Sequence, residues 1–231
     1  MSVAVIFDLD GTLVNSEPNY FAAELRVFRE CGILEFDEEQ QRRYVGMSTR
    51  QVMMDARCRY GLADSLDSLA DRTDAYYLEL ARAGTEVFPE MRALLRLLRT
   101  NGYPLALASG SSITVLAAVM EQTQLSEFFR VMVSTDDVAR GKPHPDVLIE
   151  ASRRLGVRAS TCVVVEDAIY GVVAARRAGM RCIAVPSQSE QALQPEFAAA
   201  DLLFPRGIAD FKAGTAFAWI EHLGSRRRAT E

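Results

Sequence analysis

Short apolar runs alternate with longer amphipathic segments along most of the chain, and this rhythm predicts strands and helices in turn. The first run, Val3–Phe7, consists of five apolar residues, most of them β-branched, and predicts a strand buried on both faces. Similar runs predict strands at 104–108, 131–134, 162–165 and 181–185. Strands that alternate with helices in this way are typical of an α/β fold with a parallel sheet.

The stretch from 15 to 83 interrupts this rhythm because its apolar residues recur only at helical spacing. We therefore expect an all-helical domain at 15–83, inserted into a discontinuous core domain formed by 1–14 and 84–231. The helices of the insert are predicted near 18–31, 37–44, 49–60 and 65–83.

The composition narrows the possible partners. The chain of 231 residues is 49% hydrophobic and 25% charged, which is ordinary for a globular protein. Its net charge of −5 argues against nucleic acid or a membrane surface as partner, because both attract clustered positive charge. The four cysteines form no C-x-x-C pair, and the sequence starts without a basic region, an apolar span or a cleavage site. We expect a cytoplasmic enzyme that acts on a small molecule.

Carboxylates stand directly after two of the predicted strands. Asp8 and Asp10 follow the first strand, and Glu166-Asp167 follow a later one. The carboxyl ends of parallel strands share one edge of a sheet, where ligands of open α/β sheets bind. The four acids should crowd there and repel one another, and a divalent cation would relieve the repulsion. Oxygen ligands with few histidines favour Mg²⁺.

Two further polar segments stand where an anion could bind. Ser109-Gly110-Ser111 follows a predicted strand and offers hydroxyls and amides, although a serine before a helix is also a common N-cap. Lys142 lies in a proline-bracketed loop and is one of only two lysines among 26 basic residues. An ammonium in so rigid a loop can neutralise a nucleophile and a phosphoryl group.

The first strand with its acids reads hhhhDxDGT and resembles the haloacid dehalogenase superfamily of phosphohydrolases. The resemblance extends through Ser109, Lys142 and Glu166-Asp167 in the family's order. It implies a Rossmann-like core. The helical insert is similar in size and position to the cap domain of the β-phosphoglucomutase-like branch, which would close over the site on hinges near 14–18 and 83–88.

The resemblance also implies a role for each matched residue. Asp8 is the nucleophile, which forms an aspartyl-phosphate, and Asp10 is the general acid and base. Lys142 neutralises the nucleophile and the phosphoryl oxygens. The phosphate-binding residues are Thr12, Ser109, Gly110 and Ser111.

The same acids form the expected Mg²⁺ site. We assign Asp8, the backbone carbonyl of Asp10 and Asp167 as ligands. Glu166 is either a further ligand or an outer partner of the site.

Together these features predict a Mg²⁺-dependent phosphatase for a small phosphomonoester, such as a sugar phosphate or a related metabolite. The family default is a monomer, with a homodimer as the alternative. A sugar-phosphate mutase shares the motifs, but its cap histidine has no counterpart, because Tyr20 stands in that region. A non-catalytic binding protein is the third hypothesis. Arg50, at the start of a cap helix, is either a solvated arginine or a residue that selects the substrate.

Overall fold

A six-stranded parallel sheet forms the centre of the fold in this computed structural model, which describes residues 3–188 and 192–228. The predicted α/β class is confirmed, and each strand foreseen from the sequence agrees with the structure to within one residue at either end. The strands, in chain order, are β1 Ala4–Phe7, β2 Val14–Asn15, β3 Glu86–Val87, β4 Leu105–Ala108, β5 Val131–Val133, β6 Cys162–Glu166, β7 Arg181–Ala184 and β8 Leu202–Leu203.

Strand β1 lies in the middle of the sheet, whose order is β5-β4-β1-β6-β7-β8. It pairs in parallel with β4 on one side and β6 on the other. All four residues of β1 are fully buried because the sheet is covered on both faces. Val5 and Phe7 pack into one apolar cluster, and Ala4 and Ile6 pack into another on the opposite face.

The core helices cover the two faces of the sheet, as the alternation of strands and helices predicts. In the part of the chain that the structure describes, no helix combines the length and the apolar character needed to cross a membrane. These helices are α5 Pro89–Thr100, α6 Ile113–Thr123, α7 Asp146–Leu155, α8 Ile169–Arg177, α9 Pro195–Ala198 and α10 Ala213–Arg228.

The helices between β2 and β3 enclose an apolar cluster of their own, which includes Phe28, Met53 and Leu69. One prediction was wrong here: 37–44 is not a single helix, because the chain tightens into a 3₁₀ turn after Gln41. The division into two domains at residues 14 and 84 stays a prediction. These helices are α1 Glu17–Glu30, α2 Glu38–Gln41, α3 Thr49–Tyr60 and α4 Leu66–Ala83.

Two chain segments join the helical insert to the sheet, and they run side by side. Strands β2 and β3 pair antiparallel, and the backbone N–H of Phe88 donates to the carbonyl of Leu13 at 3.0 Å. The side chain of Asn19 donates to the carbonyl of Gly84 at 3.2 Å. The sequence did not reveal this small sheet, because strands of two residues carry no periodic signal.

Candidate active site

The acids after β1 and β6 meet at the carboxyl edge of the sheet. Because these strands are neighbours, the backbone N–H of Asp8 donates to the carbonyl of Val165 at 3.0 Å. Carboxylate oxygens of Asp8, Glu166 and Asp167 lie within 4.8 Å of one another, and all three side chains are buried. The structure therefore brings together the side chains of three of the four acids that the sequence placed at this edge, and Asp10 is the exception.

Lys142 reaches into the same cluster from the loop before α7. Its Nζ donates to Oδ1 of Asp8 at 2.5 Å and to Oε2 of Glu166 at 2.7 Å. Burial lowers the pKa of Lys142, but the carboxylates of Asp8 and Glu166 outweigh that effect and the net shift is upward. The lysine is therefore charged and is held against the candidate nucleophile.

One ammonium does not balance three buried carboxylates. Burial is the largest cause of the raised pKa of Asp8, and the neighbouring Glu166 raises it further, against the opposing effect of Lys142. Burial and then Glu166 also raise the pKa of Asp167. The excess of negative charge in this small volume favours the binding of a cation.

The side chain of Asp10 points into a set of hydroxyl groups instead of into the acidic cluster. Its Oδ2 accepts from Ser111 Oγ at 2.6 Å and from Ser109 Oγ at 3.4 Å, and its Oδ1 accepts from Tyr77 at 3.4 Å. Burial raises the pKa of Asp10, and the hydrogen bond from Ser111 opposes the shift. A carboxyl with a raised pKa suits proton transfer at neutral pH.

Two cap tyrosines complete this hydroxyl network, and the sequence pattern had assigned neither of them a role in the site. The rings of Tyr20 and Tyr77 stack at 4.0 Å between centroids. The hydroxyls of Tyr20 and Ser111 lie 2.8 Å apart, and since Ser111 donates to Asp10, the tyrosine is the donor. Tyr77 could have been noticed because it continues the four-residue spacing of the buried face of α4.

Two of the residues expected to bind the phosphate, Thr12 and Ser109, do not line the cleft. The hydroxyl of Thr12 is fully buried and donates to Oδ1 of Asp167 at 2.8 Å, so it orients an acid of the cluster. Ser109 is also fully buried, whereas Gly110 and Ser111 line the cleft. The N-cap alternative for Ser109 was wrong, because Ser112 caps α6.

Two glycines provide the space that the acids occupy. A Cβ on Gly11, which has a φ of +73°, would overlap the carboxylate of Asp167. A Cβ on Gly171, in α8, would overlap the carboxyl group of Glu166. Asp167 and Glu166 can therefore occupy these positions only because residues 11 and 171 have no side chain.

The helical insert covers the acids and leaves a cleft between it and the core. Gly46, with a φ of +80°, lies so close to the core that a Cβ there would overlap that of Ala168. Gln51 Nε2 donates to the carbonyl of Lys142 at 3.4 Å. The residues of the insert that line the cleft are Ser16, Glu17, Tyr20, Glu24, Gln41, Tyr44, Val45, Gly46, Met47, Ser48, Thr49 and Gln51.

Arg50 is not among these residues, so the structure does not place it at the substrate. Its Nη1 pairs with Oδ1 of Asp67 at 2.7 Å, and 61% of its side chain is exposed. The neighbouring Thr49 and Gln51 line the cleft instead, because successive residues of a helix point in different directions. The solvated alternative for Arg50 fits this arrangement.

A parallel α/β sheet with buried carboxylates and one buried lysine at its carboxyl edge, under a helical cover, is typical of a phosphohydrolase. The sequence model of the haloacid dehalogenase-like hydrolases matches residues 5–185. Hexitol phosphatase B of Escherichia coli is 31% identical over 202 residues, which cover 87% of this chain and 90% of that protein. The chain belongs to the haloacid dehalogenase-like hydrolase family, and it is a hydrolase of phosphoric monoesters.

Solved structures share the whole architecture. CbbY from Rhodobacter sphaeroides, in complex with phosphate, superposes with a TM-score of 0.79 at 27% identity, over 90% of this chain and 96% of that one. A β-phosphoglucomutase from Clostridium difficile superposes with a TM-score of 0.80 at 21% identity, over 96% and 99% of the two chains. Because this identity is only 21%, the match to the second structure supports a shared fold and nothing more.

Proposed function

We propose that this protein is a Mg²⁺-dependent phosphatase that cleaves a small sugar phosphate through an aspartyl-phosphate on Asp8. The observation that carries the proposal is the contrast between two neighbouring acids. Buried Asp8 pairs with Lys142, whereas Asp10, two positions later in the chain, accepts hydrogen bonds from hydroxyl groups. The two carboxyl groups have different partners, which suits one to attack and the other to carry a proton. The relatedness to hexitol phosphatase B supports a phosphorylated sugar or polyol as substrate.

The acidic cluster fits a Mg²⁺ ion. Its donors are hard carboxylate oxygens, and its buried negative charge exceeds that of the single lysine. Asp8 and Asp167 would hold the ion. Both oxygens of Glu166 have partners in the chain, Lys142 Nζ and the N–H of Ala168, which supports the outer role for Glu166. Bound there, Mg²⁺ would supply positive charge to the phosphoryl oxygens.

The residues of the chain account for the steps of hydrolysis. Asp8 attacks phosphorus, and its new bond forms as the bond from phosphorus to the alcohol oxygen breaks. Asp10 gives its proton to that departing oxygen and then takes a proton from the water that attacks the aspartyl-phosphate, which releases inorganic phosphate. Lys142 holds Asp8 in place, and the cap limits the access of other water.

A mutase is less well supported than a hydrolase. A mutase must hold a second phosphate away from the reacting one. Lys142 is the only lysine or arginine among the described residues that line the cleft, and it is bound to Asp8 and Glu166. The monomeric state and the cytoplasmic location stay predictions from the sequence.

The test is phosphate release from a panel of sugar and polyol phosphates, with and without Mg²⁺. We expect turnover that needs Mg²⁺, and its loss in Asp8→Asn, which keeps the shape of the side chain but removes the nucleophile. Asp71→Asn, on the exposed face of α4, is the matched control and should keep full activity. Wild-type rates in Asp8→Asn would show that another group attacks phosphorus.

A further inference from the structure

One wall of the cleft consists of hydrogen-bond acceptors from cap helix α1. Glu17, Tyr20 and Glu24 line the cleft together because residues three and four positions apart lie on one face of a helix. We call these three residues the acceptor wall. Tyr20 has a partner in Ser111, whereas Oε1 of Glu17 and Oε2 of Glu24 have no hydrogen-bond partner among the described residues.

Glu24 is the most unusual member of the acceptor wall. Only 3% of its surface is exposed, yet no cation and no donor of the described chain pairs with its Oε2. Burial raises the pKa of Glu24 to about 8. A buried polar atom without a hydrogen-bond partner destabilises the folded protein. Natural proteins keep such atoms mostly where a ligand or an ordered water supplies the missing hydrogen bond. Because Glu24 lines the cleft, a ligand in the cleft can provide that partner.

Of three cations near the cleft, two are held by carboxylates and the third lies in a neighbouring groove. Lys142 is bound to two carboxylates at the phosphate end. Arg50 pairs with Asp67 on the surface of the cap. Arg42 lines a neighbouring groove, which shares Glu17 with the cleft. Among the described residues that line the cleft, an anionic group on the leaving alcohol would find no cation that is free of carboxylate partners.

We propose that Glu24 selects the leaving alcohol: its carboxyl group hydrogen-bonds a hydroxyl of an uncharged, polyhydroxylated alcohol, and the acceptor wall rejects alcohols that carry a carboxylate or a second phosphate. This inference rests on the proposed phosphatase function and adds the residue that selects the leaving group. A hydroxyl suits the site because it can donate to a carboxylate and accept from a protonated carboxyl. Rejection follows because an anion would lose its hydration in the cleft and find there no free cation of the described residues to replace it.

Binding to the inactive variant Asp8→Asn, with Mg²⁺ present, tests the inference without turnover. The probes are sorbitol 6-phosphate, phosphoglycolate, fructose 1,6-bisphosphate and glucosamine 6-phosphate. We expect sorbitol 6-phosphate to bind at least about tenfold more tightly than the two probes with an added anionic group. Adding Glu24→Leu should weaken sorbitol 6-phosphate binding about tenfold and change phosphoglycolate binding less, since a buried hydrogen bond to the alcohol is lost.

Two further variants keep the result interpretable. Glu24→Gln should lose less affinity than Glu24→Leu, because an amide still donates and accepts. Glu39→Gln, which replaces an exposed carboxylate of cap helix α2 that does not line the cleft, is the matched control and should bind every probe as its parent does. Equal losses for all probes in Glu24→Leu would overturn the inference, because they would indicate damage to the cap and not selection.

Other outcomes would also overturn it. Tight binding of fructose 1,6-bisphosphate that is lost in Arg42→Ala would place a second phosphate in the neighbouring groove. A preference for glucosamine 6-phosphate that is lost in Glu24→Gln would assign Glu24 to an ammonium group. The wild-type turnover assay is separate: no phosphate release from any probe would refute the phosphatase function, while the binding comparison would still decide the role of Glu24.

Discussion

Replacing Glu24 with glutamine should stabilise the protein, and the gain should grow as the pH rises. Burial shifts the pKa of Glu24 from 4.5 to about 8. In that interval the folded state holds a proton that the unfolded state has released. Protons bound only to the folded state make its stability fall with rising pH, by about 1.4 kcal/mol for each pH unit. Glutamine does not titrate, so the stability of the variant does not fall with pH through this position.

The magnitude follows from the shift. At pH 7 the wild type should have lost about 3 kcal/mol relative to its stability at pH 4.5, and at pH 8 about 4 kcal/mol, through Glu24 alone. At the acidic end the two proteins should be nearly equal, because a protonated carboxyl and an amide are both neutral buried polar groups. Asp8 and Asp167 also titrate, but they are present in both proteins and cancel in the difference.

Urea unfolding at several pH values, with a metal chelator present, measures this difference directly. The free energy of unfolding of Glu24→Gln minus that of the wild type should rise steadily from about pH 4.5 to about pH 8. The same measurement on Glu39→Gln, which replaces an exposed carboxylate of α2, is the matched control. A flat difference for Glu24→Gln would mean that Glu24 ionises normally in the folded protein, and the reasoning from its burial would fail.

Two further predictions concern cap closure and the metal. Gly46→Ala should lower kcat/KM by about tenfold or more, because the new methyl group pushes the cap away from Ala168 and the φ is strained. Gly61 has a similar positive φ, but a Cβ there would meet open space, so Gly61→Ala is the control for backbone strain. If Gly61→Ala keeps the wild-type kinetics while Gly46→Ala loses activity, the loss comes from the contact with Ala168 and not from the strained φ. Mg²⁺ at about 100 times its Kd should stabilise the wild type by about 2.7 kcal/mol, seen as a higher Tm. Asp167→Asn should remove most of that gain, and a wild-type Tm indifferent to Mg²⁺ would contradict the proposed site.

The sequence predicted the sheet and the acidic cluster because both depend on local patterns. Buried strands are recognised as short apolar runs, and an acid directly after such a strand lies at the carboxyl edge of a parallel sheet. The residue order alone therefore sufficed to place Asp8 and Asp167 at the carboxyl edge.

The contacts of individual side chains could not be predicted in this way. The hydroxyl of Thr12 faces Asp167 because of how two distant segments pack, and nothing within its own segment shows that. Arg50 faces away from the cleft because of the rotation of α3 about its axis, where a change of one position turns a side chain by about 100°. Glu24 resembles any other acid of an amphipathic helix in the sequence, and only its burial against the cleft distinguishes it.

The pairing of β2 with β3 limits how the cap can move. If the two connecting segments were separate, each could twist independently, and the helical insert could swing and rotate in many directions. Hydrogen bonds tie them into one ribbon, with Val14 opposite Val87 and Asn15 opposite Glu86. A ribbon bends easily across its flat face and resists twisting, so opening reduces largely to a single degree of freedom. If the cap opens and closes, little orientational entropy is spent on each closure, and we expect the acceptor wall to return to the same position over the substrate.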